Sequence, residues 1–441
     1  MKRIILFIFV SFTSFSSLAD QAFHPAGENL TYGNVATFQS LIGNTNNPAT
    51  GASAYDLDGW YFGFGLVSSV GAGAEVGPVK NFVDQLNDLS DTLNNFGKDG
   101  KTPSTGEIEE IKTKFDDFLV VSGESGYAKI SLAATVPLFP FMWSSRNFGS
   151  LVFDVNGAAQ AQVSVLDRPI EYNPLEQGLN ILQTNTALYI KAGGIGQASM
   201  AYSRQIFKSR KGALIAGLKT NYYIVKLRKT LFGLAQVDDV DEAIKDEVEE
   251  VRKDISSHEA KLGFDLGLMW VAQKFRIGAT FKNLNSPEFK YPDVGTDCSA
   301  KTAGTSQDSC YIAQSFADEI DLQETHVMDA QVQVEAAAHN KSRNLVAAFA
   351  VDTSPVNDLV GNQIQWLTGS LAYATRSWII PGIRVGYRKN LAGSKLSAIT
   401  GGLTLFKTLH VDAAYGLEKI EVDGASAPRM AQVNIGIDIL F

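Results

Sequence analysis

The last eleven residues of the chain, Ala431 to Phe441, alternate between apolar and polar or small side chains, with Leu440 as the one exception. Side chains on a β-strand point to opposite faces with a period of two, so this segment has one apolar and one polar face. Its length is close to the roughly 9–11 residues that a tilted strand needs to cross the hydrocarbon of a bilayer. A strand of a soluble β-sandwich shows the same pattern, so this segment alone leaves both alternatives open.

The same alternation recurs along the chain from residue 59 onward and predicts about fourteen strands. Long and short connections alternate between these strands, as they do in outer-membrane barrels. In hydrocarbon every backbone N–H and C=O needs a partner, and a sheet supplies one for every strand only when it closes. Charged residues at inward positions, such as Asp265 and Arg384, would be solvated by a wet lumen. The sequence therefore predicts an all-β membrane protein, an antiparallel barrel over residues 59–441.

Three stretches depart from the strand pattern. Apolar residues at helical spacing over about 78–118 predict a helical hairpin in a loop, and those over about 237–255 predict a second helical insertion. The second insertion has an acidic face, which we interpret as a solvated surface rather than a calcium site. The connection from Leu138 to Phe148 is unusually long and aromatic for its place in the series of short turns.

The N-terminus has the layout of a secretory signal peptide, residues 1–19. Lys2 and Arg3 precede an apolar run, and small residues at Ser17 and Ala19 predict cleavage near Ala19. The alternative is a membrane anchor, for which the apolar run is too short. The net charge of −9 argues against a nucleic-acid partner, because phosphate contacts need clustered Lys and Arg.

The two cysteines, Cys298 and Cys310, lie in one polar loop of about 285–325. Export to an oxidising compartment predicts a disulfide between them, whereas a metal site would need more ligands. The five histidines are scattered, and a Ser–His–acid site needs side chains that converge. We therefore expect no enzyme activity, no metal and no cofactor.

Several features together resemble the FadL-like outer-membrane proteins, and within them the conjugal-transfer TraF-like family of Gram-negative bacteria. One feature is the predicted size of the barrel. The others are short motifs. Asn47, Pro48 and Ala49 lie near the mature N-terminus. A segment that follows a predicted strand contains Asn283, Leu284, Pro287 and Phe289, and the last residue is Phe441.

This resemblance implies a location in the outer membrane and a hatch, residues 20–58, that lies inside the barrel and carries the Asn47–Ala49 motif. In FadL-like transporters, hydrophobic molecules are captured outside, enter the lumen and leave sideways through a gap at a kinked strand. Gly193, Gly194 and Gly196 interrupt one predicted strand and are the candidate kink. Expected partners are outer-membrane lipid, a hydrophobic small molecule, and the barrel-assembly machinery at the strand ending at Phe441.

Two functions remain open from the sequence. The first is passive uptake of hydrophobic small molecules in a FadL-like manner, which predicts an apolar pocket between the hatch and the wall. The second is a structural or assembly role in conjugal transfer without transport, which predicts a filled lumen and loops suited to protein contacts.

Overall fold

The computed structural model describes residues 29–35, 37, 41, 45–54, 60–95, 104–145, 147–172, 182–234, 240, 242, 245, 258–373, 377–422 and 424–440. The predicted signal peptide, the first part of the predicted hatch, most of the predicted insertion at 237–255 and Phe441 lie outside the described residues.

One large antiparallel sheet closes on itself. The strands in chain order are β1 Trp60–Val76, β2 Tyr127–Thr135, β3 Phe141–Ser145, β4 Gly149–Leu166, β5 Glu171–Tyr172, β6 Leu182–Gln183, β7 Ala187–Ser209, β8 Gly212–Gly233, β9 Glu259–Val271, β10 Phe275–Lys282, β11 Glu288–Lys290, β12 Thr325–Val327, β13 Gln331–His339, β14 Leu345–Asp352, β15 Val356–Asn357, β16 Gln363–Ile364, β17 Trp366–Tyr373, β18 Gly382–Asn390, β19 Ser397–Leu405, β20 Leu409–Gly416, β21 Lys419–Val422, β22 Ala425–Pro428 and β23 Met430–Leu440.

Closure comes from β1, which pairs with the last strand, β23, on one side. On its other side β1 pairs with both β2 and β3, and both of these pair with β4. Strands β2 and β3 therefore share one position of the wall, and the wall has fourteen positions. The predicted closed antiparallel barrel of about this size is confirmed.

The two faces of the wall differ as the alternation predicts. On β18, Ile383 and Val385 are exposed on the outside, whereas Arg384 and Arg388 are buried on the inside. An outer apolar face matches lipid tails, and it spans a membrane only because the closed sheet leaves no unpaired edge. No helix in the described ranges is long and apolar enough to cross a bilayer.

In the described residues four α-helices lie off the wall: α1 Asn29–Tyr32, α2 Phe82–Asn95, α3 Thr105–Ser125 and α4 Thr305–Ser315. Two short 3-10 helices span Gly51–Ala54 and Cys298–Ala300. Ser104 and Glu107 form a capping box that starts α3. Helices α2 and α3 form the hairpin of the first predicted insertion, and α3 continues to Ser125. Leu86 and Phe115 belong to an apolar cluster that includes Val163 of β4, so the hairpin packs on the barrel as well as on itself.

The glycines at 193, 194 and 196 do not interrupt β7. Each of them pairs in register with both β4 and β8, so the wall has no bulge or gap at this point, which argues against a lateral opening at these glycines. The physical reason for a glycine is different, at least at Gly193. A Cβ there would lie 3.0 Å from the Cβ of Leu359, a residue of an inward-folded loop, so the missing side chain makes room for that loop.

Loops at the long-loop end fold over the barrel mouth. We call residues 284–330 and 353–365 the cap. A disulfide joins Cys298 to Cys310, which lies in α4. Phe316 packs with Ala187 and Leu231 of the wall, and the Arg168 guanidinium lies 4.1 Å from its ring centroid. These contacts hold the cap against the long-loop ends of β7 and β8.

Candidate functional site

The described N-terminal residues, 29–35 and 45–54, lie inside the barrel, and we call them the plug. Helix α1 contacts β14 and β17 to β20, whereas residues 51–54 contact β3, β4 and β7 on another part of the wall. Leu30, Asn47 and Ala52 are fully buried. The plug therefore bridges separate parts of the wall and occupies the lumen between them.

Asn47 fixes the plug to the wall with both ends of its side chain. Its Nδ2 donates to Oε1 of the buried Glu335 on β13, at 2.6 Å. Its Oδ1 accepts the backbone N–H of Ala49 at 3.0 Å, which holds the Asn47–Pro48–Ala49 segment in a turn. A side-chain amide supplies a donor and an acceptor together, so no apolar residue could replace it here.

Three inward glycines receive this turn. Gly217 on β8 pairs with Gly267 on β9, and Gly278 lies on the next strand, β10. A Cβ on Gly217 or on Gly267 would stand 2.7 Å from the backbone nitrogen of Ala49, and one on Gly278 would stand 2.9 Å from Asn47 Nδ2. These positions leave no room for any side chain, so the three glycines form a cradle for the motif.

Charged wall residues also hold the plug. Asp412 Oδ2 accepts the backbone N–H of Thr31 at 3.0 Å, and its Oδ1 lies 2.6 Å from Arg384 Nη2. Lys219 Nζ donates to the carbonyl of Thr45 at 3.2 Å. Inward charges that the sequence assigned to lumen hydration therefore bind the plug, with hydrogen bonds that offset part of the cost of burying them.

The wall is interrupted at its second position. β2 ends at Thr135 and β3 begins at Phe141, and we call residues 136–140 between them the break. Gly65 of β1 bonds to the break on both sides, accepting from the N–H of Leu138 at 2.7 Å and donating to the carbonyl of Pro140 at 3.1 Å. Prolines lack the N–H that a ladder needs, so Pro137 and Pro140 explain why the strand stops here.

The irregularity extends to the other side of β1. Its pairing with β23 shifts register between Gly65 and Val67 and again between Val67 and Val70. Leu66 and Leu138 are 46% and 59% exposed beside this irregular stretch. The predicted second turn, Leu138 to Phe148, is therefore partly strand: it contains the end of the break and all of β3.

A buried apolar cluster leads from the cap toward the break. Its members from the cap and the wall are Ala133, Ala158, Ile195, Tyr223, Val225, Leu227, Phe289, Tyr291, Met328 and Leu359. Ala133 lies on β2, two residues before its end, and Ala158 lies on the neighbouring β4. The cluster thus ends on the wall next to the break.

The segment of Asn283, Leu284, Pro287 and Phe289 connects β10 to the cap. Asn283 is buried, its backbone N–H donates to Asp265 and its Oδ1 accepts from Tyr223, while the N–H of Leu284 donates to the carbonyl of Phe264. The carbonyl of Pro287 accepts the N–H of Met328, and Phe289 enters the apolar cluster. The segment therefore fixes where the cap leaves the wall.

His326 of β12 is a buried residue of the cap, and in the described part of the chain its Nε2 has no hydrogen-bond partner. Burial lowers the pKa of His326 to about 4, although Asp358 and Glu324 oppose this shift and Lys191 adds to it. The imidazole is therefore neutral at neutral pH.

Acid should loosen the cap. As pH falls through about 6.5, an unfolded cap binds a proton on this histidine, whereas the folded cap binds one only near pH 4, so folding stability is lost between these values. The expected total loss is about 3 kcal/mol. Hydrogen exchange of residues 284–330 at pH 7 and pH 4.5 measures it. The His326→Gln variant should lose most of the pH dependence, and an equal dependence in both proteins would contradict the prediction.

The described residues contain no group of three His, Cys, Asp or Glu placed to hold a metal ion. Fold and site together define a membrane β-barrel whose lumen holds its own N-terminal segment. The family model described as "F plasmid transfer operon, TraF, protein" matches residues 45–352, and the chain belongs to this family. The family recognised from the sequence is thus confirmed.

Comparison with curated proteins finds no match. Among solved structures, the toluene transporter TodX of Pseudomonas putida is 13% identical over 96% of this chain and 98% of its own, with a TM-score of 0.36. A TodX mutant described as a monoaromatic hydrocarbon channel is 12% identical over 91% of this chain and 94% of its own, with a TM-score of 0.40. Similarity at this level assigns no substrate to this chain.

The sequence drew attention to the Asn47 motif and to the cap-connecting segment, but it missed the cradle and the break. The cradle glycines are three of 39 in the chain, and nothing in their spacing separates them from the others. The break did leave a signal, because Pro137 and Pro140 stand two and five residues past the alternating strand β2, in a connection that was too long for its place.

Proposed function

We propose that this barrel lets small hydrophobic molecules pass from the long-loop face of the outer membrane into the bilayer, sideways through the break. The observation that carries the proposal is the break itself, which interrupts the wall beside a lumen that the plug fills. A molecule that reaches the break from inside meets lipid rather than water on the other side.

The apolar cluster supports a path to the break. Phe289 and Met328 belong to the cap, and Ala133 and Ala158 lie on the wall near the break. Transfer of an apolar molecule from water to such a surface is favourable, because it removes apolar area from water. Leu66 and Leu138 are exposed apolar side chains at the irregular stretch of the wall.

The polar contacts of the plug support selectivity against water-soluble solutes. Asn47, Thr31 and Thr45 are bonded to the wall, so an aqueous route along the barrel axis would need several buried hydrogen bonds to break at once. The proposed route leaves the plug in place.

Uptake into liposomes tests this function. Vesicles with the purified protein should take up a labelled alkane, monoaromatic hydrocarbon or fatty acid faster than vesicles without protein, and glucose no faster. Deletion of residues 20–58 should admit glucose as well, because the lumen is then open. Equal rates for every compound with and without the protein would reject transport.

The family description favours a second candidate, a structural part of a conjugal-transfer apparatus without transport activity. Plasmid transfer by cells that lack the protein discriminates between the two. A large loss of transfer, restored by a variant in which the break is blocked, would support the structural role. The α2–α3 hairpin and the cap would then be the surfaces to examine for partners.

A further inference from the structure

The short turns carry one sign of charge. Residues 204–212, 272–275, 340–344, 377–381 and 406–408 contain eight Lys and Arg and no Asp or Glu. The cap shows the opposite balance, since residues 284–330 contain nine Asp and Glu and two Lys. The protein is therefore cationic at its short-turn end even though its net charge is −9.

The strongest concentration is the hairpin between β7 and β8. β4 pairs with β7 only as far as Ser203, and β9 pairs with β8 only as far as Ala213, so residues 204–212 project beyond the neighbouring strands. We call these residues the tip. Its cations are Arg204, Lys208, Arg210 and Lys211, and all four are exposed.

The tip also exposes apolar side chains. A register shift between Gln205 and Phe207 inserts one extra residue in β7. Strict alternation would turn one of two successive side chains inward, but at this bulge both Ile206 and Phe207 are exposed, at 60% and 55%. Apolar and cationic groups therefore share one small projection.

A group of aromatic side chains indicates where the tip lies relative to the membrane surface. Tyr202 donates to the carbonyl of Phe148 at 2.7 Å, and the Phe148 ring lies 5.6 Å from Tyr202 and 5.0 Å from Trp143. Aromatic side chains with polar ends gather where acyl chains meet headgroups. Arg204 and the remaining tip cations begin just beyond this level, where phosphates lie.

We propose that the tip binds anionic phospholipids in the leaflet at the short-turn end, with Ile206 and Phe207 in contact with the lipid at the level of the headgroups. Charge complementarity selects an anion, and the exposed apolar pair selects a lipid over free phosphate. At the other turns Lys274, Lys341 and Lys407 extend the cationic rim. This inference does not depend on any transport activity.

Native mass spectrometry tests the proposal. Purified, delipidated protein is mixed with detergent micelles that contain equal amounts of phosphatidylglycerol and phosphatidylethanolamine, and retained lipids are counted. The wild type should prefer phosphatidylglycerol. The quadruple variant Arg204→Gln, Lys208→Gln, Arg210→Gln and Lys211→Gln should lose that preference by about fivefold or more, since each cation near a membrane surface contributes measurably.

A matched variant removes four exposed lysines from the other end of the barrel: Lys290→Gln, Lys301→Gln, Lys395→Gln and Lys419→Gln. It should keep the wild-type preference. Millimolar inorganic phosphate should not displace the lipid, and heat-dependent gel mobility checks that both variants are folded. Equal retention of the two lipids by the wild type, an equal loss in both variants, or displacement by phosphate would overturn the proposal.

Discussion

The Gly267→Val variant should release the plug and make the barrel conduct ions. A valine side chain cannot fit where a Cβ alone would stand 2.7 Å from the nitrogen of Ala49. Overpacking of this kind costs about 1–3 kcal/mol, so the population with a displaced plug should rise about tenfold or more. The population with a displaced plug is measured by the conductance of single proteins in planar bilayers. Asn47→Ala should act in the same direction, because it leaves the buried Glu335 without its amide partner.

The chain offers matched controls for this experiment. Gly369 of β17 and Gly401 of β19 are also strand glycines, but they lie on the outer face and a Cβ on either meets nothing within 4 Å. Gly369→Val and Gly401→Val should fold and stay closed. Conductance in these controls equal to that of Gly267→Val would show that any strand glycine is sensitive, and the cradle would lose its special role.

Blocking the break should abolish uptake of hydrophobic molecules while leaving the lumen closed to ions. Leu138 is 59% exposed at the break, so a Leu138→Cys variant is accessible to a bulky maleimide. The native cysteines are joined to each other and do not compete for the reagent. Uptake by the unmodified variant should resemble the wild type, and modification should reduce it to the level of protein-free liposomes.

Leu371→Cys provides the control for the reagent. Leu371 is 63% exposed on the outer face of β17, away from the break, and carries the same reagent without obstructing the proposed path. Its modification should leave uptake unchanged. If modified Leu138→Cys still transports at the rate of modified Leu371→Cys, the molecules do not leave through the break, and another route or the structural role must be considered.

These experiments separate the two parts of the mechanism. The cradle variants act on the plug and change the passage of ions and polar solutes. The break variants act on the wall and change the passage of apolar molecules. None of the substituted residues belongs to the short-turn tip, so lipid selectivity should be the same in all of these variants.

The outward and inward faces of the barrel could be read from the chain because they depend on local sequence. On a strand, side chains two positions apart share a face. The neighbours Ile383 and Arg384 are therefore predicted to lie on opposite faces of the wall. The number of strands followed from counting such segments. The hatch over residues 20–58 and the role of its Asn47 motif were predictions from family resemblance, and the family itself is confirmed.

The interruption of the wall was predicted in the wrong strand for a physical reason. Glycine in a strand has several uses, and at Gly193 it makes room for Leu359, a residue more than 160 positions away in the chain. A local pattern cannot distinguish a glycine that bends its own strand from one that accommodates another segment. The actual interruption depends on two prolines and on Gly65, whose hydrogen bonds to the break form only when β1 pairs with β2 and β3.

The sequence by itself determined the alternation of faces, the approximate strand count and the opposite charges of the two ends, because each depends on residue type and order alone. Only the tertiary structure decided that Gly217, Gly267 and Gly278 receive the Asn47 motif, and that inward charges bind a plug instead of water. Those contacts join residues far apart in the chain, and they form only when the sheet closes and brings its inner surface around the N-terminal segment.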